Sequence, residues 1–266
     1  MSIALQVALV MVTILVVLLV IGAPIGVAIG MSSAVSMICM IPADVSFATS
    51  AQRIFAGSNS FSLIAIPFFI LAGNIMNNGG IATRLVNCAK VISGRMPGAL
   101  AQSNVVANML FGAISGSGAA AAAAMGGTIG PLEEKEGYDK NYSTAVNVAS
   151  APVGMLIPPS NTMIVYSSVA GSVSIAALFM AGYIPGLLWG GAVMILAGIM
   201  AKKRGYQAEQ RVPVKVALKT FWQAIPSLLL IVIVIGGILG GIFTATEGSA
   251  IAVVYATVLS LIYKAF

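Results

Sequence analysis

Two short stretches of this chain bring together groups able to hold an ion or a small charged ligand. Ser115-Gly116-Ser117-Gly118 combines two hydroxyls with two glycines, whose bare backbone lets carbonyls and amides approach a ligand closely. About 40 residues later, Ile157-Pro158-Pro159-Ser160-Asn161 interrupts an apolar run with two residues that lack a backbone N–H and whose rings clash with the preceding turn. A helix broken there leaves free carbonyls at the end of its first half, suited to a small cation. Its second half begins with free N–H groups suited to an anion, with Ser160 placed to cap it. The oxygens on offer come from serine, asparagine and backbone, and neutral oxygens suit sodium better than protons. The competing structural readings are a proline kink for the break, and close packing of small residues for the tip and the alanines that follow it.

Other chemistries fall away quickly. Histidine is absent, which removes Ser/His and Cys/His hydrolases, His-ligated haem and the common zinc sites. The Gly116-Ser117-Gly118 sequence alone does not make a serine hydrolase, because no lysine lies at membrane depth to replace the missing histidine. Cys39 and Cys88, the only cysteines, form neither a disulfide framework nor a thiolate metal site. Glu247, in Phe243-Thr244-Ala245-Thr246-Glu247-Gly248, fits a helix cap better than a ligand. Gly22, Gly26 and Gly30 are spaced for tight helix packing. No enzyme and no bound cofactor is expected.

The elements that must position the tip and the break are membrane helices. The 266 residues carry 13 basic and 7 acidic side chains against 59% hydrophobic residues, far from the ~25% charge of a soluble domain. Uncharged runs longer than the ~20 residues of one crossing must fold back on themselves, and their continuity excludes an outer-membrane barrel. The first run begins at Ile3 without a preceding basic residue, so it reads as a retained span rather than a signal peptide.

Spans are predicted at Ile3–Ile21, Pro24–Ile41 and Phe61–Met76, with a polar connector from Asp44 to Ser60. Residues 1–78 form scaffold spans and 79–96 a cytoplasmic basic arm. Residues 97–171 form the transport part, with a hairpin at 97–130 and a broken helix at 143–171. Ala119–Gly130 rises only about 18 Å against a hydrocarbon core of about 30 Å, so the hairpin is re-entrant. A further span occupies 172–200, a cytoplasmic basic loop 201–220, and the apolar runs Phe221–Ile242 and Ala250–Ile262 fall in 221–266. With the N-terminus outside, twelve basic residues (Arg84, Lys90, Arg95, Lys135, Lys140, Lys202, Lys203, Arg204, Arg211, Lys215, Lys219 and Lys264) lie inside and only Arg53 outside. That distribution explains the net charge of +6 without a nucleic-acid partner.

Several motifs in order identify a family. Ile66-Pro67-Phe68-Phe69-Ile70-Leu71-Ala72-Gly73, the Ser115-Gly116-Ser117 tip, Gly137-Tyr138-Asp139, Ile157-Pro158-Pro159-Ser160, Leu178-Phe179-Met180-Ala181-Gly182-Tyr183-Ile184-Pro185-Gly186 and Gly241-Ile242-Phe243-Thr244-Ala245-Thr246-Glu247 resemble the large membrane subunit of TRAP transporters. The resemblance implies an all-α polytopic protein of the elevator type in the ion-transporter superfamily: the first inverted repeat plus the start of the second. It implies a sodium-driven secondary transporter of the bacterial inner membrane importing a carboxylate or sialic-acid-like solute. The solute arrives on a periplasmic binding protein, and a small four-helix membrane subunit packs against the scaffold.

By position, the resemblance assigns Ser115, Gly116, Ser117, Pro158 and Ser160 to a sodium site, and Ser117, Gly118, Ser160 and Asn161 to the substrate. The chain departs from the family in length: no second hairpin or second proline-broken helix follows, so a fragment or truncated form is expected. The rival expectation is a non-transporting membrane scaffold or assembly protein.

Overall fold

The computed structural model describes residues 3–171, 173–206 and 213–263, and every regular element among them is helical. Contacts divide the chain into two units, Met1–Ser60 and Phe61–Phe266. The third predicted span, grouped by sequence with the first two, therefore falls in the second unit, where it packs chiefly on the last helix.

The first unit holds α1 (Ile3–Val20), α2 (Ile25–Ile38) and α3 (Ala43–Ser58). Pro24 and Pro42 stand immediately before α2 and α3, where a missing N–H costs nothing. None of the residues of α1 is buried, and its apolar character runs all the way round, so its surface belongs in lipid or against protein. Ser46 Oγ ties α3 to α2 by donating to the Ala34 carbonyl at 2.7 Å.

Two expectations are corrected in this unit. The second span is a helix of 14 residues, which rises only about 21 Å and does not reach Ile41. The spaced glycines do not mediate tight packing. Gly22 is a turn residue at φ +86°, nothing lies within 4 Å of a Cβ placed at Gly22 or Gly26, and Gly30 meets only Ile54 Cδ1, at 3.8 Å.

The second unit opens with a 3₁₀ turn, Phe61–Ile64, leading into α4 (Ala65–Asn78). Then follow α5 (Ile81–Ser93), α6 (Ala99–Ser115), α7 (Gly118–Thr128), α8 (Gly130–Lys135), α9 (Lys140–Ser150), α10 (Val153–Leu156) and α11 (Asn161–Ala170). Three long helices complete it: α12 (Ile175–Lys203), α13 (Val214–Leu239) and α14 (Ala245–Ile262). Its core joins Phe69, Ala72 and Met76 of α4 to Ala252, Ala256 and Leu259 of α14, and Phe111 and Ile114 of α6 to Leu230 and Val234 of α13.

Among the described residues, five helical segments are long and apolar enough to cross a membrane: Ile3–Val20, Phe61–Asn78, Ile175–Lys203, Val214–Leu239 and Ala245–Ile262. The pair Lys140–Leu156 and Asn161–Ala170, bent by 47°, makes a sixth if counted as one broken span.

The basic arm at 79–96 proves to be a packed helix. Ile81, Ala82, Leu85, Val86, Cys88 and Ala89 recur at helical spacing and are buried, while Arg84 lies 3.5 Å over the Tyr263 ring. The basic loop at 201–220 is shorter than expected, because α13 already begins at Val214 and carries Lys215 and Lys219; Arg211 lies outside the described residues. The last helix starts at Ala245 rather than Ala250, because Thr244 and Glu247 form the predicted cap as a complete capping box.

Candidate functional site

The tip is built by a change of backbone hand. Gly116 ends α6 at φ +62°, a conformation that strains any residue with a Cβ, and Ser117 starts α7 by accepting from the Ala120 N–H at 3.3 Å. Ser115 is buried against α4, where a Cβ at Gly73 would stand 2.9 Å from the Ser115 Cβ. Ser115 Oγ lies 3.4 Å from both the amide and the carbonyl of Ser117, so both predicted hydroxyls are held by the turn itself.

The broken helix is interrupted twice. The ladder stops first at Ala151-Pro152, where Trp189 Nε1 of α12 donates to the Ala149 carbonyl at 2.9 Å. It stops again at the extended segment Ile157–Ser160, after which Ser160 caps α11, accepting from Met163 N–H at 3.4 Å and donating to the Met155 carbonyl. Sequence spacing located the second break; the first was missed, although Pro152 marks it.

Glycines let hairpin and break meet at backbone distance. A Cβ at Gly112 would fall 2.2 Å from the Gly154 Cα, and one at Gly118 2.9 Å from the Ala151 carbonyl oxygen. On the other side, Gly182 and Gly186 of α12 clear the way for the Leu156 carbonyl and for Ile157.

At the junction the Asn161 N–H donates to the Gly116 carbonyl at 3.3 Å, and Asn161 Nδ2 donates to the Ser115 carbonyl at 3.4 Å. A Cβ on Gly116 would sit 3.0 Å from the Pro159 oxygen and 3.1 Å from the Asn161 nitrogen. The structure thus joins Ser115, Gly116 and Asn161 directly, and the residue facing Gly116 from the break is Pro159 rather than Pro158. Ser117, Gly118 and Ser160 flank this junction with their side chains or backbone committed to local caps and packing.

Asn161 Oδ1 is buried and has no hydrogen-bond partner among the described residues. With Asn161 Nδ2 and N–H committed to the Ser115 and Gly116 carbonyls, Oδ1 is the neutral oxygen at the junction that could serve a small hard cation such as sodium. A buried acceptor left unpaired costs about 1–3 kcal/mol, which a bound cation would recover.

A second polar cluster, missed by sequence reading, lies nearer the basic loops. Asn108 Nδ2 donates to Asn104 Oδ1 at 3.0 Å, Asn147 Oδ1 at 3.0 Å and Ser150 Oγ at 2.8 Å, while Asn147 Nδ2 donates to the Ala122 carbonyl at 2.9 Å. Three elements, α6, α7 and α9, are pinned together this way. Glu133 of α8, outside the spans, is 1% exposed, and burial pushes its carboxyl up to about 7, with Ser143 and Asn104 pulling back. Those two side chains lie near the carboxylate without reaching hydrogen-bond geometry, and Glu133 Oε1, Ser143 Oγ and Asn104 Nδ2 have no partner among the described residues. The legible signal was the i, i+4 spacing of Asn104/Asn108 and Ser143/Asn147 within apolar helices.

The Gly137-Tyr138-Asp139 motif anchors this end. Gly137 turns at φ +79°, Asp139 caps α9 by accepting from Tyr142 N–H at 2.9 Å, and Arg204 reaches Asp139 at 3.0 Å. The Asp139 N–H donates to Tyr206 Oη at 2.8 Å, and Tyr142 Oη donates to the Ala197 carbonyl at 2.8 Å.

A hairpin that meets a broken helix within a polytopic helical chain is the kind of arrangement from which secondary transporters build a midplane site. Residues 12–266 match the family model of the DctM component of the tripartite ATP-independent periplasmic transporters, and the chain belongs to that family. YgiK of Salmonella typhimurium, described as uncharacterized, is 54% identical over 233 residues, covering 88% of this chain and 54% of that protein. The C4-dicarboxylate TRAP transporter large permease protein DctM of Vibrio cholerae is 42% identical over 224 residues, covering 84% and 49%. The sialic acid TRAP transporter large permease protein SiaM of the same organism is 40% identical over 217 residues, covering 80% and 50%. The chain spans about half the length of these relatives. Relatives of this kind are named as transporter permeases, not enzymes.

Proposed function

We propose that this chain supplies the first hairpin and first broken helix of a sodium-coupled TRAP permease in the bacterial inner membrane. The observation that supports this reading most is the junction at Gly116 and Asn161, where Asn161 bonds the Ser115 and Gly116 carbonyls while its buried Oδ1 has no partner among the described residues. Sodium held there by Asn161 Oδ1 orders the tip at Ser115 and Gly116, with Ser117 and Ser160 capping the two helices that flank it. Ser117, Gly118, Ser160 and Asn161 border the substrate side, where the positive end of the α11 dipole favours an anionic group. The printed names of the relatives, C4-dicarboxylate and sialic acid permeases, favour a carboxylate solute delivered by a periplasmic binding protein. A small four-helix subunit covers the scaffold, and transport proceeds by an elevator shift of hairpin and broken helix.

The test is uptake into proteoliposomes by the complete permease with its small subunit and binding protein. A sodium gradient should drive uptake, and replacing Ser115 and Ser160 together with leucine should abolish it. Uptake that persists in the double variant would refute the site, and partner binding without sodium-dependent uptake by the unaltered permease would favour a scaffold role.

A further inference from the structure

The Glu133 cluster is separate from the tip–break junction and has its own cavity. About 340 Å³ of space is lined by Asn104, Glu133, Ser143, Thr144 and Asn147, with the exposed Glu134 and Lys140 also bordering it. We propose that this cavity is a monovalent metal-cation site in which the Glu133 carboxylate is the charged ligand and Ser143 Oγ a neutral one. It goes beyond the junction reading and stands whether or not that reading holds.

Three observations carry it. Glu133 and Ser143 are both at least nine-tenths buried and line the cavity, each with an oxygen lacking a hydrogen-bond partner among the described residues. A buried carboxylate without a cationic partner is costly, and a bound cation offsets that cost. Asn147 Oδ1, already accepting from Asn108, has a second lone pair to offer, and the cavity has room for water to complete the ion's shell.

The surroundings favour one positive charge over two. The titratable and charged groups near Glu133 are Glu134 and Lys135 on its own helix, Tyr138 in the loop that follows, and Lys140 and Tyr142 of α9; α6 and α7 carry none. No group of three or more acidic, histidine or cysteine side chains that would hold a divalent ion occurs among the described residues. Because Asn104 and Asn147 belong to the network pinning α6, α7 and α9, an ion here would stiffen the base of the hairpin.

The experiment counts ²²Na⁺ bound by the complete permease at equilibrium dialysis, with choline as the background cation. Glu133→Gln should bind one sodium fewer per subunit, Ser143→Ala should bind at least five-fold more weakly at that site, and excess potassium should compete. Asn161→Ala reports on the junction separately, so loss in Glu133→Gln with no loss in Asn161→Ala keeps this site and removes the other. An unchanged count and affinity in Glu133→Gln would overturn the proposal. If Glu133→Gln does not fold, unchanged affinity in Ser143→Ala overturns it instead.

Discussion

Replacing Gly116 with alanine separates a strained turn from a functional junction. The residue sits at φ +62°, so any Cβ costs about 1–2 kcal/mol there. The new Cβ would also stand 3.0 Å from the Pro159 oxygen and 3.1 Å from the Asn161 nitrogen, both backbone atoms that cannot rotate away. Relieving those contacts moves the tip from the break and weakens the Asn161 N–H to Gly116 carbonyl bond, worth about 1 kcal/mol. Gly137→Ala is the control, because Gly137 has φ +79° but nothing within 4 Å of its Cβ. Both variants should lose similar thermal stability from backbone strain. Only Gly116→Ala should also weaken sodium, by roughly fivefold for an extra ~1 kcal/mol, read as the sodium concentration for half-maximal uptake. Equal sodium dependence in the two variants would refute the reasoning.

Three further outcomes follow from the geometry. Asn147→Ala should destabilise the permease by about 2–4 kcal/mol in thermal unfolding, because it leaves the Ala122 carbonyl and Asn108 Nδ2 with fewer partners. Asp139→Ala should cost about 1 kcal/mol through the lost α9 cap, while Arg204→Gln, which removes the surface ion pair and leaves the cap in place, should cost less by the same measure. Glu133 is raised from 4.5 to about 7 in the folded chain, so its stabilising contribution is full below pH 4.5 and disappears as the pH rises through 7. In sodium-free choline buffer, Glu133→Gln should match the parent at pH 4.5 and exceed it by up to about 3 kcal/mol at pH 8 in chemical unfolding.

Local chemistry in the sequence was a good guide where one residue type has one use. Pro158-Pro159 cannot continue a helix, and Glu247 fits a cap better than a ligand; the break and the cap are both present, with Thr244 as the partner and the helix beginning at Ala245 rather than Ala250. What could not be read were contacts between distant segments. Gly112 and Gly154 look like ordinary helix glycines until their helices are placed side by side, and Glu133 looks like one acid in a charged loop until α6 and α9 close around it. The glycines at 22, 26 and 30 show the reverse error, a packing pattern without a partner among the described residues. In the basic arm the charges Arg84 and Lys90 stood out in the sequence, while Ile81, Leu85, Cys88 and Ala89, which make its buried face, follow the 3.6-residue helical period.

The central claim is that sodium holds the hairpin tip against the break. Hydrogen–deuterium exchange of the complete permease in lipid nanodiscs, with sodium or choline, tests it most directly. Peptides covering residues 112–120 and 154–163 should exchange more slowly together in sodium, and Asn161→Ala should remove the effect from both. Equal exchange of both segments in sodium and choline would contradict the account.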